Sequence, residues 1–157
     1  MKILVAYYSK TGNTKKVAID LAKNLKADIE EIADLKNRSG IIGWIIGGKD
    51  AYQEKFTKIK TTKNPKDYDL VIVGTPVWAG NSTPAIRTYL NKYKSDLKKV
   101  VLFTTSGGAN SDKSAESLNK FLDRNIQANE GWTTAEMNNK KVYEEKIHKF
   151  IEKIKKL

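Results

Sequence analysis

Short apolar runs alternate along this chain with stretches of helical periodicity. Lys2 to Tyr8 is aliphatic and aromatic with no alternation, the pattern of a strand buried on both faces. From Asn13 the period changes, and Val17, Ala18, Leu21, Ala22 and Leu25 fall on one face of a helix. Ala27 to Ile32 alternates and predicts a short strand at a sheet edge. Asp69 to Gly74 and Lys98 to Thr104 are further continuous apolar runs, and a weaker strand lies near Ile126 to Thr133. Ser82-Thr83-Pro84 starts a helix with cap residues and a proline at the first helical position, and Ile86, Tyr89, Leu90 and Tyr93 keep its spacing. Ser111 is expected to cap the next helix, whose inner face is Ala115, Leu118, Phe121 and Leu122. The final helix carries Tyr143, Ile147, Phe150, Ile151 and Ile154 on one face, with Glu145/Lys149 and Glu152/Lys156 spaced for ion pairs.

Five strands interleaved with helices predict an α/β fold, a parallel sheet covered on both faces by right-handed crossovers. No repeat or linker interrupts the pattern, so residues 1–157 are read as a single domain. In such sheets ligands sit outside the carboxyl ends of the strands, which makes the loops after each strand the informative ones. The apolar, glycine-rich segment Ser39 to Gly48 is read as a helix packed on the sheet in preference to a flap or partner surface. Its stretch Ile41 to Gly48 is too short to span a bilayer.

Composition narrows the chemistry. The chain has no cysteine and one histidine, which excludes disulfides, thiolate catalysis, Cys-ligated metals and most His-based metal sites. His148 reads as solvated rather than catalytic. Any redox chemistry must therefore be carried by a bound cofactor. Met1 leads directly into the first strand pattern without a basic leader, so the expected location is cytoplasmic. The net charge is +11, yet 26 of the 29 basic residues are lysines spread along the chain, and only Arg38, Arg87 and Arg124 offer a planar fork. No nucleic-acid motif accompanies the charge, which is read as solvated surface.

The strand-to-helix turn Ser9-Lys10-Thr11-Gly12-Asn13-Thr14 concentrates hydroxyls, an amide and one glycine where a helix presents unpaired N–H groups. These residues suit a phosphate cradle and equally a βα turn capped by Thr11 or Asn13. A Walker loop and a dinucleotide fingerprint are both absent, so a cradle here would hold an isolated monoester phosphate. After the third long strand comes Thr75-Pro76-Val77-Trp78-Ala79-Gly80-Asn81, where Trp78 suits stacking on a flat aromatic ligand, or folding back over the next helix. After the fourth comes Thr105-Ser106-Gly107-Gly108-Ala109-Asn110, whose adjacent glycines permit close backbone approach. Three ligand-competent loops at one sheet edge make coincidence much less likely than any one of them alone.

With these motifs the chain resembles the flavodoxin-like family of FMN proteins over nearly its whole length. YYSKTGNT is similar to the family's FMN-phosphate loop, GTPVWAGNSTPAI to its second flavin loop and TTSGG to the third. The resemblance implies a three-layer fold with a five-stranded parallel sheet in the order 2-1-3-4-5. It implies phosphate held by Ser9, Thr11, Gly12, Asn13 and Thr14, with Lys10 adding charge or pointing to solvent. Thr75 to Asn81 would form the second flavin loop, with Trp78 beside the isoalloxazine, and Thr105 to Gly108 would lie near its pyrimidine edge.

Two departures from electron-carrier flavodoxins bear on function. Thr104 to Ser111 holds no aromatic residue to sandwich the flavin, and neither the second nor the third loop holds an acid before Asp112. With few carboxylates nearby, a reduced anionic flavin meets less repulsion, and its two-electron potential is expected to be less negative than in an acidic carrier. The chain is minimal, with no second substrate domain or catalytic acid, which favours an electron carrier docking on acidic surfaces of redox partner proteins. The alternatives are an NAD(P)H-dependent FMN oxidoreductase reducing a small acceptor such as a quinone, and a binding module of the same fold without redox chemistry.

Overall fold

The computed structural model describes residues 1–108 and 111–157. Ala109 and Asn110, at the end of the third loop, lie outside the described residues, and so does the Ser111 side chain with its expected capping role. Five long strands make the sheet: β1 (Ile3–Tyr7), β2 (Asp28–Glu31), β5 (Leu70–Trp78), β7 (Lys99–Ser106) and β8 (Ala128–Thr133). Short strands β3 (Ala33–Asp34) and β4 (Ile59–Lys60) form a separate antiparallel ribbon, and β6 (Asn81–Ser82) folds back on β5. Helices α1 (Asn13–Leu25), α2 (Gly40–Tyr52), α3 (Pro84–Tyr93), α4 (Ser111–Leu122), α5 (Thr134–Asn138) and α6 (Lys140–Lys155) connect and cover them.

The long strands run parallel in the order β2-β1-β5-β7-β8, the expected 2-1-3-4-5. Adjacent residues of β1 show why the apolar runs do not alternate. Val5 packs into one core with Leu21 of α1 and Phe150 of α6, whereas Leu4 and Ala6 pack into the other with Ile86 and Tyr89 of α3 and Leu118 of α4. Both faces of the strand are buried. The register Tyr7↔Gly74 and Thr75↔Thr104 brings the carboxyl ends of β1, β5 and β7 to one edge, where the loops of interest gather.

Strand β5 runs to Trp78, four residues past the Gly74 expected from the apolar run. Pro76 is tolerated because residues 74 and 76 face the same side of β5 and β1 has already ended there, so the missing N–H costs no ladder bond. The strand ends in a hairpin: Val77 pairs with Ser82 and Trp78 with Asn81, leaving Ala79-Gly80 as a two-residue turn with φ of 49° and 81°. Positive φ at both positions is the geometry that matches the twist of the flanking strands, and it favours Asn-Gly over Ala-Gly.

Helix α5, which the hydrophobic pattern did not announce, arises from a capping box, Thr133 accepting from the Glu136 amide and Glu136 reaching back. An expectation is corrected on α6: the ion pairs within the helix are Lys140–Glu144 and Glu152–Lys155, not Glu145/Lys149 or Glu152/Lys156. All these side chains are exposed, so rotamer entropy rather than spacing decides which pairs form.

Replacing Ala79 with Asn should relieve the left-handed strain and stabilise the fold by about 1 kcal/mol, raising Tm by about 2–4 °C in thermal unfolding. An unchanged or lower Tm would show that the turn stores no strain at this residue.

Candidate functional site

At the carboxyl edge of the sheet lies a cleft of about 640 Å³, within the usual range for small-molecule sites. The first loop enters it through Thr11 and Asn13. The Ser9 hydroxyl instead accepts from the amides of Gly12 (3.1 Å) and Lys15 (3.3 Å), folding the loop over the start of α1. Thr14 is buried and its hydroxyl meets that of Thr105 at 2.8 Å, tying the first loop to the third. Gly12 is the N-cap and has no side chain to offer, and the Ser9 hydroxyl takes the Lys15 amide of the first turn, so the capping alternative for Thr11 or Asn13 is not the one realised. The helix start keeps orphan amides and the positive dipole end beside the cleft.

Pro76, Val77, Trp78 and Ala79 form the second wall. Thr75 does not face the cleft: it is buried, its hydroxyl accepting from the Thr83 amide (3.1 Å) and donating to the Pro76 carbonyl (2.9 Å). Asn81 donates its amide to the Ala51 carbonyl of α2 (3.4 Å), and Gly80 lies against the Lys113 side chain. The third wall is Thr105, Ser106 and Gly107, with the Ser106 hydroxyl donating to the Gly108 carbonyl.

Sequence reasoning missed three lining residues, Trp44, Gly48 and Thr134. Thr134 follows β8 at the same sheet edge and donates to the Ser106 carbonyl at 3.3 Å, so the rule about strand ends could have found it. Trp44 and Gly48 come from α2. None of the lining residues is acidic. His148 is exposed and lies outside the lining.

Trp78 is the best-defined wall. The Tyr8 ring meets it edge-on at 5.7 Å, Lys10 Nζ lies 5.7 Å from its centroid and the Arg38 guanidinium 5.9 Å. Lys10 Nζ is buried there, over the indole, without a hydrogen-bond partner. Burial, with the charge of Asp34, pushes the Tyr8 phenol up, so it stays protonated at neutral pH.

Helix α2 approaches Trp78 through glycines. A Cβ on Gly47 would sit 2.8 Å from the indole ring, and one on Gly43 would sit 2.2 Å from the Arg38 backbone. The helix expected here forms, but its apolar side faces away from the protein: Gly43, Gly47, Asp50 and Ala51 are inward, and the isoleucines are exposed. A buried ion cluster holds it. Arg38 donates from Nε to Asp34 (2.6 Å) and from a terminal nitrogen to Asp50 (2.9 Å), and Lys36 reaches Asp50 at 2.7 Å. Burial alone would raise the Asp50 carboxyl, but hydrogen bonds and charge from Lys36 and Arg38 outweigh it and hold the pKa below the ordinary value.

Comparison with known proteins places this architecture. The flavodoxin family model designated Flavodoxin_4 matches residues 46–154. The flavoprotein of Lactobacillus acidophilus, solved in complex with FMN, superposes with a TM-score of 0.74 at 27% identity, covering 88% of this chain and 97% of that one. Flavodoxin 2 of Bacillus cereus shares the fold, with a TM-score of 0.59 at 19% identity over 99% of each chain. An NAD(P)H dehydrogenase (quinone) of Chromohalobacter salexigens is 28% identical over 94 residues, 58% of this chain. The match spans 46% of that protein's length.

Substituting Asp50 by Asn should destabilise the protein by about 1–3 kcal/mol at neutral pH, by removing charged acceptors from Arg38 and Lys36. The folded pKa of Asp50 lies below the unfolded one, so its contribution is complete above the ordinary carboxylate range and is lost as pH falls through the lower folded value. Denaturant unfolding from neutral to acid pH should show this loss in the parent chain and a flatter profile in Asp50→Asn; parallel profiles would remove Asp50 as a pH-linked contact.

Proposed function

The chain belongs to the flavodoxin family, and from that membership we propose that it binds FMN in this cleft and carries electrons through it. The reading rests on one observation: a helix start with Thr11 and Asn13, the Trp78 indole and the Thr105–Gly107 strand end line the same cleft, and the lining carries no carboxylate. A terminal phosphate suits the amides and dipole at the start of α1. The flat isoalloxazine suits the wall formed by Trp78, and the Thr105–Gly107 wall offers polar atoms to its pyrimidine edge. Ser9, Gly12 and Thr14 shape the phosphate loop, and Thr75, Gly80, Asn81 and Gly108 shape the other two. The L. acidophilus relative, solved with FMN, supports this choice of cofactor.

Bound FMN supplies the redox chemistry; the chain binds, orients and biases charge. The buried ammonium of Lys10, lacking a partner beside Trp78, is the residue best suited to favour negative charge at the ring. Net charge +11 suits docking to redox proteins with acidic surfaces, in contacts that weaken with salt. A cytoplasmic setting belongs to the same reading.

A second reading, reduction of a small acceptor such as a quinone at the expense of NAD(P)H, is favoured by Trp44. It lines the cleft yet is 66% exposed, so the cleft mouth has a flat apolar surface open to a second planar molecule. The C. salexigens relative carries a name of this class.

Purified protein should be yellow and release FMN on denaturation, and anaerobic NAD(P)H alone should leave the flavin oxidised until a reductase is added. Rapid bleaching by NAD(P)H would replace the carrier by the enzyme, and an apoprotein that titrates with no flavin signal would remove both. Trp78→Ala should weaken FMN binding by about 1–3 kcal/mol in fluorescence titration. Lys10→Gln should make the flavin potential more negative by on the order of tens of millivolts, read by redox titration; an unchanged potential would place Lys10 outside the flavin's field.

A further inference from the structure

Helix α2 has its polarity inverted relative to an ordinary surface helix. At 3.6 residues per turn its outward arc, about 200° wide, carries Ile41, Ile42, Trp44, Ile45, Ile46 and Tyr52. Ile41 is 80% exposed and Ile42 is 74% exposed. The inward arc holds Gly43, Gly47, Ala51 and the Asp50 ion cluster. Contiguous exposed aliphatic surface of this kind marks an interaction site.

Charge around the helix selects the occupant. Residues 34–60 contain six basic side chains against three acidic ones. Asp34 pairs with Arg38, Asp50 with Lys36, Arg38 and Lys55, and Glu54 with Arg87, so the charges that remain over among the described residues are those of Lys49, Lys58 and Lys60. Lys49, Lys58 and Lys60 are exposed. Lys49 lies within the apolar arc, where its stem can follow the apolar surface and its ammonium can reach a phosphate. A second copy would bring another +11 charge against this one. A protein partner chosen for acidity would need directional contacts, and the six outward residues named above offer only the Trp44 indole N–H and the Tyr52 hydroxyl.

An exposed aliphatic helix face that carries one lysine, a tryptophan at its margin and a tyrosine in its last turn, on a strongly basic chain, is the pattern of a helix lying in the headgroup layer. We propose that α2 docks this protein on an anionic lipid bilayer, its isoleucines seated at the acyl boundary and its lysines on lipid phosphates. Trp44 and Gly48 belong both to this helix and to the lining of the cleft, so docking sets the cleft mouth at the membrane surface. Where FMN occupies the cleft, a consequence that rests on the function proposed above, the cofactor lies within reach of acceptors dissolved in the lipid.

The test is sedimentation with vesicles of phosphatidylcholine alone and of phosphatidylcholine mixed equally with phosphatidylglycerol. The parent chain should bind the mixed vesicles about tenfold or more tighter than the neutral ones, with a blue shift of tryptophan emission and weakening by salt. Ile41→Ser/Ile45→Ser should lose about tenfold in vesicle affinity with its circular dichroism unchanged, and Trp44→Phe should lose the blue shift. Absence of vesicle binding by the folded parent chain overturns the proposal. So does vesicle binding that the serine pair leaves intact, because the lysines would then act alone. A salt-stable dimer that the serine pair converts to monomer also overturns it, in favour of a second copy. FMN titration of the same samples reports separately on the cofactor reading.

Discussion

Arg38 is buried and shared between Asp34 on β3 and Asp50 on α2, while its guanidinium lies 5.9 Å from the Trp78 ring. That one side chain decides where α2 stands relative to the sheet edge, and so where the cleft has its outer wall. Thr57 donates to Asp34 (2.7 Å), drawing the chain after α2 into the same cluster. A buried ion pair is weak evidence of net stability, because desolvation offsets much of the attraction. Loss of one partner is another matter, since it leaves a charge buried and unmatched. The cluster therefore acts mainly as a register: α2 fits when Gly43 lies on the Arg38 backbone and Gly47 on Trp78, and other placements separate the charges.

The cleft built on that register has a consistent electrostatic sense. A helix N-terminus and a buried ammonium beside the indole are positive, the Arg38 charge is matched by Asp34 and Asp50, and the lining contains no acid. Two charges several ångströms apart near a protein surface interact by a few kcal/mol, larger than the fraction of a kcal/mol from an exposed lysine. The buried ammonium of Lys10 beside Trp78 thus sets a stronger field at that wall than any one exposed lysine does.

The central strands were legible because double-sided burial leaves unbroken apolar runs, the edge strand β2 from its alternation, and the strand order came with the family resemblance. The path of β5 past Gly74 was not: Thr-Pro-Val-Trp-Ala-Gly reads as loop, and only the end of β1 makes Pro76 harmless in a strand. Of the site loops, the residues that line the cleft and those that brace it carry the same hydroxyl chemistry. Sequence could not show that Thr11 faces the cleft while Ser9 turns onto its own loop and Thr14 onto Thr105. The orientation of α2 was misread for a reason of principle. Periodicity assigns the apolar arc to the inside, whereas here steric closeness to Arg38 and Trp78 admits only glycine at positions 43 and 47 of the inner face.

That inversion has a cost the monomer does not recover. Glycines at 43, 47 and 48 lie in the interior of α2, each worth about 1 kcal/mol against alanine in a helix. The isoleucines forgo burial worth about 1.5–3 kcal/mol apiece. A helix placed only to close the sheet edge could turn its isoleucines inward with a slightly wider spacing and stand on its own packing. This one keeps the glycine contact with Trp78 and leaves the isoleucines facing water, so its placement depends on the charged cluster at its base. Folding of the monomer alone supplies no physical reason for that arrangement; a surface that covers the outer arc does.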